Sequence, residues 1–236
     1  LNQALQNAAE IRLTPIVLTA LNIGLITFEI GAVMIIGANI GTTITGQLIA
    51  FKIDRAALPI IGIGFVVIML SKRKQMKLWG EAMLGFWLLF LGLSIMKQVL
   101  APLGGSDLFQ SFFIRFSEQP ILGVAAGMLA TMIIQSSSAT VGLTMALASA
   151  GLIDIQGAIC LVLGENIGTT VTAQLASIGS GRAAKRAALA HTMFNVLGVS
   201  AMVTLMYTTP IYVKLVQATS GDIMRQVANS HTLFNV

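Results

Sequence analysis

The sequence predicts an all-α integral membrane protein made of two inverted-topology repeats, with re-entrant hairpins and broken transmembrane helices. Three observations predict this class: an apolar composition, long apolar segments separated by basic clusters, and a duplicated polar motif. Of the 236 residues, 56% are hydrophobic and 10% are charged, whereas soluble domains carry roughly a quarter charged residues. Together with a mean hydropathy of +0.86, this composition excludes a water-facing exterior.

Five segments are apolar and long enough to predict membrane spans, although the second of them is short for the ~20 residues that a spanning helix needs. The basic residues cluster between these segments, around Lys72 and Arg186. Cytoplasmic loops of membrane proteins are enriched in lysine and arginine in this way. The net charge of +5 is therefore interpreted as a signal that orients the protein in the membrane. Nucleic acid is not predicted as a partner. The sequence predicts a multi-pass protein of the cell (inner) membrane and, because its last segment stops within an apolar run, part of a longer chain. The predicted spans are Ile30–Ala50, Ala56–Leu70, Leu78–Met96, Leu152–Ile178 and Ala187–Tyr207.

Two further apolar stretches, Leu13–Ile26 and Ile121–Ala150, have a different pattern. The second is interrupted at its centre by Gln-Ser-Ser-Ser at 135–138. Each half is too short to cross a bilayer, so the pattern predicts a re-entrant hairpin whose polar tip lines a cavity, where non-helical backbone is tolerated. The alternative is one long helix in which the serine hydroxyls bond to its own carbonyl groups.

A motif of seven residues occurs twice. GANIGTT at 37–43 recurs as GENIGTT at 164–170, and the match extends to Thr45/Thr172 and Gln47/Gln174. Gly-Leu-Ile at 24–26 and at 151–153 match at the same offset. Such a match in register indicates a duplicated unit.

If both basic clusters lie on the cytoplasmic side, the number of crossings between them predicts that the two motif-bearing spans run in opposite directions through the membrane. This predicts inverted repeats with binding sites near the membrane midplane, as in many secondary transporters, and it depends on Ala56–Leu70 being one full crossing. The predicted organisation is a first transmembrane repeat at 1–96 with an incomplete N-terminal hairpin, an interfacial connector at 97–120, and a second transmembrane repeat at 121–236.

The motif residues predict a cation site. Glycines weaken a helix by ~1 kcal/mol each relative to alanine, and asparagine and threonine oxygens suit a partly dehydrated monovalent cation. The alternative is a helix interface in which small residues permit close packing. At the 135–138 tip, hydroxyl groups and free N–H groups at a helix start can hold an anion. Because neither arginine nor lysine lies nearby, the residues alone predict a cation-coupled transporter of a small oxyanion or polar solute.

The paired Asn-Ile-Gly-Thr-Thr motifs and the Gln-Ser-Ser-Ser tip resemble those of the type II sodium-dependent phosphate cotransporters, and the chain looks like a bacterial member. His-Thr-x-Phe-Asn at 191–195 and 231–235 is also similar to the family. The resemblance implies sodium-coupled import of inorganic phosphate, alternating access, co-transported sodium ions, a lipid bilayer environment and often a homodimer. The family has a Gln-Ser-Ser hairpin in each repeat, whereas the positions equivalent to 135–138 here are Ala8–Ile11, which cannot do the same work.

Two sets of ligands follow from the motifs and the resemblance, with sodium as the only metal and no transition metal. The predicted phosphate ligands are Gln135, Ser136, Ser137, Ser138 and Thr172. The predicted sodium ligands are Asn39, Thr42, Thr43, Thr45, Gln135, Ser136, Glu165, Asn166, Thr169 and Thr170.

Some residues and functions leave alternatives open. Glu165 replaces Ala38 of the first motif and lies in mid-span, where a carboxylate is costly and usually functional; it serves either a cation site or, protonated, a hydrogen bond. His191 and His231 are interpreted as packed, hydrogen-bonded rings.

An enzyme is one alternative function. Ser137 and His191 would be the nucleophile and base of a hydrolase, but no orienting carboxylate is evident, so the chain is predicted not to be an enzyme. A sulfate or carboxylate transporter and an ion channel are the remaining alternatives.

Overall fold

A computed structural model describes residues 10–51, 56–102 and 119–236, and these residues form ten α-helices. The first four helices are α1 Glu10–Asn22, α2 Phe28–Ile49, α3 Ala57–Leu70 and α4 Lys74–Leu100. The remaining helices are α5 Pro120–Ile134, α6 Ser137–Ser149, α7 Ile155–Ser177, α8 Arg182–Thr208, α9 Ile211–Ala218 and α10 Ile223–Asn235.

The five predicted spans correspond to α2, α3, α4, α7 and α8. Three of these helices, α2, α4 and α8, have the length and the apolar composition needed to cross a bilayer. Each of them also presents many large hydrophobic side chains on its exposed surface. α9 and α10 were not predicted as helices. The 97–120 connector lies mostly outside the described residues, as do Ala8 and Ala9 of the positions equivalent to the tip.

The duplicated sequence forms the same local structure twice. In both copies a helix, α1 or α6, ends in a turn and is followed by a motif helix, α2 or α7. Gly24 and Gly151 adopt left-handed backbone with φ of 73° and 72°, which glycine reaches without steric cost. Their N–H groups donate to the equivalent carbonyls of Leu21 and Ala148. The repeated Gly-Leu-Ile therefore encodes a helix C-cap.

Two buried clusters connect the repeats at opposite ends of the motif helices. Ile35, in the first half of α2, shares a cluster with Ala173 near the end of α7. Ile49, the last residue of α2, shares the other cluster with Ile155, the first residue of α7. The order of the contacts along α2 is thus the reverse of the order along α7. α3 has 14 residues and is about 21 Å long, short of the ~30 Å hydrocarbon core, so the count of crossings stays a prediction.

Glycines bring α5 and α7 into close contact. A Cβ atom added to Gly164 of α7 would lie 2.0 Å from the carbonyl oxygen of Val124, and one added to Gly127 of α5 would lie 2.1 Å from that of Leu161. Only glycine allows two helix backbones to approach this closely, as at small-residue interfaces in membranes. This contact fixes α5, and the turn that follows it, against the motif of the second repeat.

Candidate functional site

The alternative of one long helix across 121–150 is wrong, because the chain breaks between α5 and α6. Gln135 ends α5 with a φ of 54° and a ψ of 32°, the left-handed region that non-glycine residues seldom occupy. Thr131 and Thr140 lie on either side of this break, and their hydroxyl oxygens are 3.1 Å apart. In a continuous helix nine residues would separate them by about 13 Å, so the two helices turn back on each other here. We call this break the Gln135 turn; its re-entrant position in a bilayer stays a prediction.

The Gln135 turn has features of a ligand-binding segment. Strained backbone of this kind clusters at ligand clamps, where the surrounding structure holds it in place. Ser136 is the N-cap of α6, and its hydroxyl oxygen accepts a hydrogen bond from the N–H of Ala139 at 3.3 Å. Ser137 begins the helix and is 8% exposed. A helix start at a turn offers backbone N–H groups to an anion.

Two adjoining cavities lie where the turn meets the motif helices. The first, which we call the tip cavity, is lined by Ala38, Asn39, Thr131, Met132, Gln135, Ser137, Gly168, Thr169, Val171, Thr172 and His191. The second, which we call the carboxylate cavity, is lined by Asn39, Thr42, Ser137, Glu165, Asn166, Thr169 and His231. Asn39, Ser137 and Thr169 line both. α2, α7, the Gln135 turn, α8 and α10 thus enclose one polar region to which both repeats contribute.

Glu165 is the carboxylate of this region. Its side chain is 2% exposed, and its Oε1 accepts a hydrogen bond from the Thr144 hydroxyl at 2.6 Å. Its Oε2 has no hydrogen-bond partner. Burying a charge is expensive unless it is paired, so an ionised Glu165 requires a cation beside it. Nothing in the sequence pattern indicated Thr144 as its partner.

The motif threonines use their hydroxyl protons within their own helices. Thr42 donates to the carbonyl oxygen of Asn39 at 2.6 Å, and Thr169 donates to that of Glu165 at 2.9 Å. Thr172 donates to the carbonyl of Thr169 at 2.9 Å. A hydroxyl has one donor and two acceptor positions. What these three groups retain is their acceptor capacity, which suits a cation.

The two equivalent asparagines are held differently. Asn166 donates from Nδ2 to the carbonyl oxygen of Val162 at 2.8 Å, so its amide oxygen is left as an acceptor. Asn39 has its Oδ1 3.0 Å from Nε2 of His191, and its Nδ2 is buried without a hydrogen-bond partner. The same residue therefore has its nitrogen engaged in the second motif and its oxygen engaged in the first.

The two His-Thr-x-Phe-Asn segments support the motif helices in matching ways. In each, the asparagine donates to the carbonyl of the histidine four residues earlier, at 3.0 Å in α8 and 2.8 Å in α10. Gln174 of α7 donates to the Thr192 hydroxyl at 2.6 Å. Its equivalent Gln47 of α2 donates to the Thr232 hydroxyl at 3.0 Å. α8 is thus bound to the second motif helix as α10 is to the first.

The structure brings many of the predicted ligands together, but not all of them. Of the predicted phosphate ligands, Gln135, Ser137 and Thr172 line the tip cavity. Of the predicted sodium ligands, Asn39, Thr42, Glu165, Asn166 and Thr169 line the carboxylate cavity, and Gln135 lines the tip cavity. Neither cavity is lined by Ser136, Ser138, Thr43, Thr45 or Thr170.

The hydroxyl hydrogen bonds do not distinguish the threonines outside the cavities from those that line them. Thr43 and Thr170 occupy the same place in the two motifs and donate to Ile40 and Ile167 within their helices. Sequence reasoning did not assign His191 and His231 to the site, although both line it. The recurrence of His-Thr-x-Phe-Asn was the signal that could have identified them.

Comparisons with known proteins agree on one family. The family model described as Na+/Pi-cotransporter matches residues 7–98 and 100–224. The Bacillus subtilis protein YqeW is 32% identical over 94% of this chain and 71% of its own length. No solved structure matches this chain.

Two further relatives are named for phosphate transport. YjbB of Salmonella typhimurium, named for inorganic phosphate export, is 28% identical over 76% of this chain. The rat protein named sodium-dependent phosphate transport protein 2A is 32% identical over 52% of this chain. The matched regions make up 33% of YjbB and 21% of the rat protein, so this chain spans only a part of either.

Proposed function

Because the chain belongs to the Na+/Pi-cotransporter family, we propose that it is a sodium-coupled secondary transporter of inorganic phosphate. In this proposal phosphate and sodium bind between the two repeats of a multi-pass protein of the inner membrane. Transport proceeds by alternating access, in which the same sites open first to one side of the membrane and then to the other. The family is one of transporters rather than enzymes.

The observation that carries the proposal is the contact of an anion-type cavity with a cation-type cavity. The tip cavity has the serine-rich start of α6, and the carboxylate cavity has Glu165 and the acceptor oxygens of Asn166 and Thr42. No lysine or arginine is among the described residues that line either cavity. A phosphate held there by neutral groups needs cations close by to offset its charge. Each ion then raises the affinity for the other, and such coupling is reciprocal.

The repeat supports alternating access. Inverted repeats place substrate sites at the midplane where the repeats meet and let one repeat move against the other. The reversed order of buried contacts along α2 and α7 supports this arrangement, as does the contribution of both helices to each cavity. The break at the Gln135 turn supports a re-entrant hairpin at that depth.

The proposed direction is import. Each charge that crosses 100 mV is worth about 2.3 kcal/mol, so a divalent phosphate entering an inside-negative cell is opposed by roughly twice that amount. Two sodium ions cancel its charge, and a third makes uptake electrogenic. Export is a second candidate, because YjbB is named for it.

Uptake of radiolabelled phosphate into proteoliposomes tests the proposal. Inward gradients of sodium, potassium or protons are compared, with sulfate and a carboxylate as competitors. The variant Ser137→Ala removes a hydroxyl that lines both cavities, and Ser200→Ala, on the exposed surface of α8, is its matched control. We expect accumulation with sodium only, lost in Ser137→Ala and kept in Ser200→Ala.

Other outcomes are equally informative. Phosphate uptake that ignores sodium would contradict the coupling, and preference for sulfate or a carboxylate would contradict the substrate. Proteoliposomes preloaded with phosphate test direction. Efflux driven by an outward sodium gradient, with no uptake under an inward one, would favour export.

A further inference from the structure

Hydrogen-bond donors are scarce in the polar region, although an oxyanion needs them. The hydroxyl protons of Thr42, Thr169 and Thr172 are donated to carbonyl groups of their own helices. One N–H of the Asn166 amide donates to the carbonyl oxygen of Val162. The three hydroxyl groups therefore meet the cavities as acceptors, and Asn166 keeps its amide oxygen and one N–H. With no lysine or arginine among the described lining residues, the anion depends on the few neutral donors that remain.

Asn39 is a donor of this kind. Its side chain is 6% exposed, it lines both cavities, and its Nδ2 has no partner within the protein. A buried N–H group without a partner is rare and costs free energy. Phosphate oxygens are the acceptors that such a group can bind, and a hydrogen bond to a charged group is stronger than one between neutral groups.

His191 of α8 determines which end of the Asn39 amide faces the cavities. Its Nε2 lies 3.0 Å from Oδ1 of Asn39, across 152 positions of sequence. With the proton on Nε2, the ring donates to this oxygen and leaves Nδ1 as an acceptor without a partner. An amide oxygen can only accept a hydrogen bond, so the ring can bond to Oδ1 only through a protonated Nε2. The His191 ring is therefore hydrogen-bonded to the Asn39 oxygen, and Nδ2 of Asn39 remains available to a ligand.

We propose that Asn39 is a phosphate-specificity residue that donates its Nδ2–H groups to the bound oxyanion, and that His191 is the positioning residue that holds it in this orientation. The inference rests on the proposed function and assigns the two equivalent asparagines to different ions. Asn39 serves the anion, whereas Asn166 offers its oxygen to the cation. The motif was duplicated, but the contact with His191 distinguishes the first copy from the second.

The experiment measures phosphate uptake by the full chain in proteoliposomes, with phosphate and sodium each titrated separately. Asn39→Asp keeps the shape and the Oδ1 acceptor, replaces the donor nitrogen by a second oxygen and adds a negative charge. We expect the KM for phosphate to rise about tenfold or more, as for loss of a hydrogen bond to a charged group, while the sodium concentration for half-maximal uptake, measured at saturating phosphate, does not increase. The matched variant Asn166→Asp is expected to change the sodium dependence more than the phosphate KM.

Substitution of His191 tests the positioning role. Gln can place an amide donor near the former Nε2, so His191→Gln is expected to keep the phosphate KM within about threefold of wild type, while His191→Leu raises it towards the value of Asn39→Asp. kcat at saturating phosphate is expected to change less than KM. If Asn39→Asp does not fold, as judged by size-exclusion chromatography, the difference in phosphate KM between the two His191 variants tests the inference.

The outcomes separate the inference from the proposed function. A wild-type protein that takes up no phosphate contradicts the proposed function itself. A wild-type protein that transports phosphate overturns the inference if Asn39→Asp alters only the sodium dependence. Equal phosphate KM values for His191→Gln and His191→Leu overturn the positioning role.

Discussion

Replacing Gly164 by alanine is expected to force α5 away from α7. The added Cβ would lie 2.0 Å from the carbonyl oxygen of Val124 and 2.8 Å from the backbone nitrogen of Met128. Carbon and oxygen atoms in close contact are ~3.3 Å apart, so the helices must separate by about 1.3 Å. Both opposing atoms belong to the backbone, so no side chain can move aside.

Two opposing effects determine how much Gly164→Ala changes the free energy of unfolding. Overpacking costs about 1–3 kcal/mol, and a clash with backbone places Gly164→Ala at the upper end. Alanine gains ~1 kcal/mol over glycine inside a helix. We expect a net loss of about 2 kcal/mol in the free energy of unfolding. Because α5 leads into the Gln135 turn, the shift also displaces Ser137, and the KM for phosphate is expected to rise.

Thermal unfolding of the detergent-purified protein and phosphate uptake measure the two effects. Gly92→Ala is the matched control, because a Cβ added there meets no atom within 4 Å, and it is expected to be as stable as wild type or slightly more stable. A Gly164→Ala protein with wild-type stability and KM would refute the close packing of α5 on α7.

Three further predictions concern other parts of the molecule. Glu165→Gln removes the carboxylate that a cation role requires and is expected to raise the sodium concentration for half-maximal uptake by about tenfold or more; an unchanged sodium titration would contradict a cation role. Gln174→Leu loses its bonds to α8 and is expected to cost about 1–3 kcal/mol in unfolding free energy, whereas the exposed Gln98→Leu costs little; equal melting curves would refute this. Cys160 is fully buried, so a maleimide is expected to label it only after unfolding, and rapid labelling of the native protein would contradict that burial.

The helices of the spans and the break at 135–138 could be predicted because their signals are local. Long apolar runs predict helices, and four polar residues between apolar halves predict the break. α10 escaped prediction because polar residues such as Arg225 and Asn229 alternate with apolar ones, so that it has no long apolar run. Its buried face becomes evident only when Met224 and Val227 pack in the core.

The composition of the site was predictable, but the orientation of its groups was not. The repeated motif placed Asn39 and Asn166 in the site from sequence. The difference in their hydrogen bonding depends on His191, which is 152 positions from Asn39, and no spacing rule specifies such a contact. Thr144 is likewise bound to Glu165 from another helix. Sequence similarity identifies equivalent residues, whereas their roles depend on long-range neighbours.

Sodium movement driven by phosphate is the most direct test of whether phosphate and sodium are coupled at one site. Radiolabelled sodium uptake is measured in proteoliposomes with an inward phosphate gradient and no sodium gradient, for wild type, Ser137→Ala and Ser200→Ala. Because coupling is reciprocal, we expect sodium accumulation in wild type and Ser200→Ala and none in Ser137→Ala. Sodium entry at the same rate without phosphate, or phosphate entry without sodium, would contradict it.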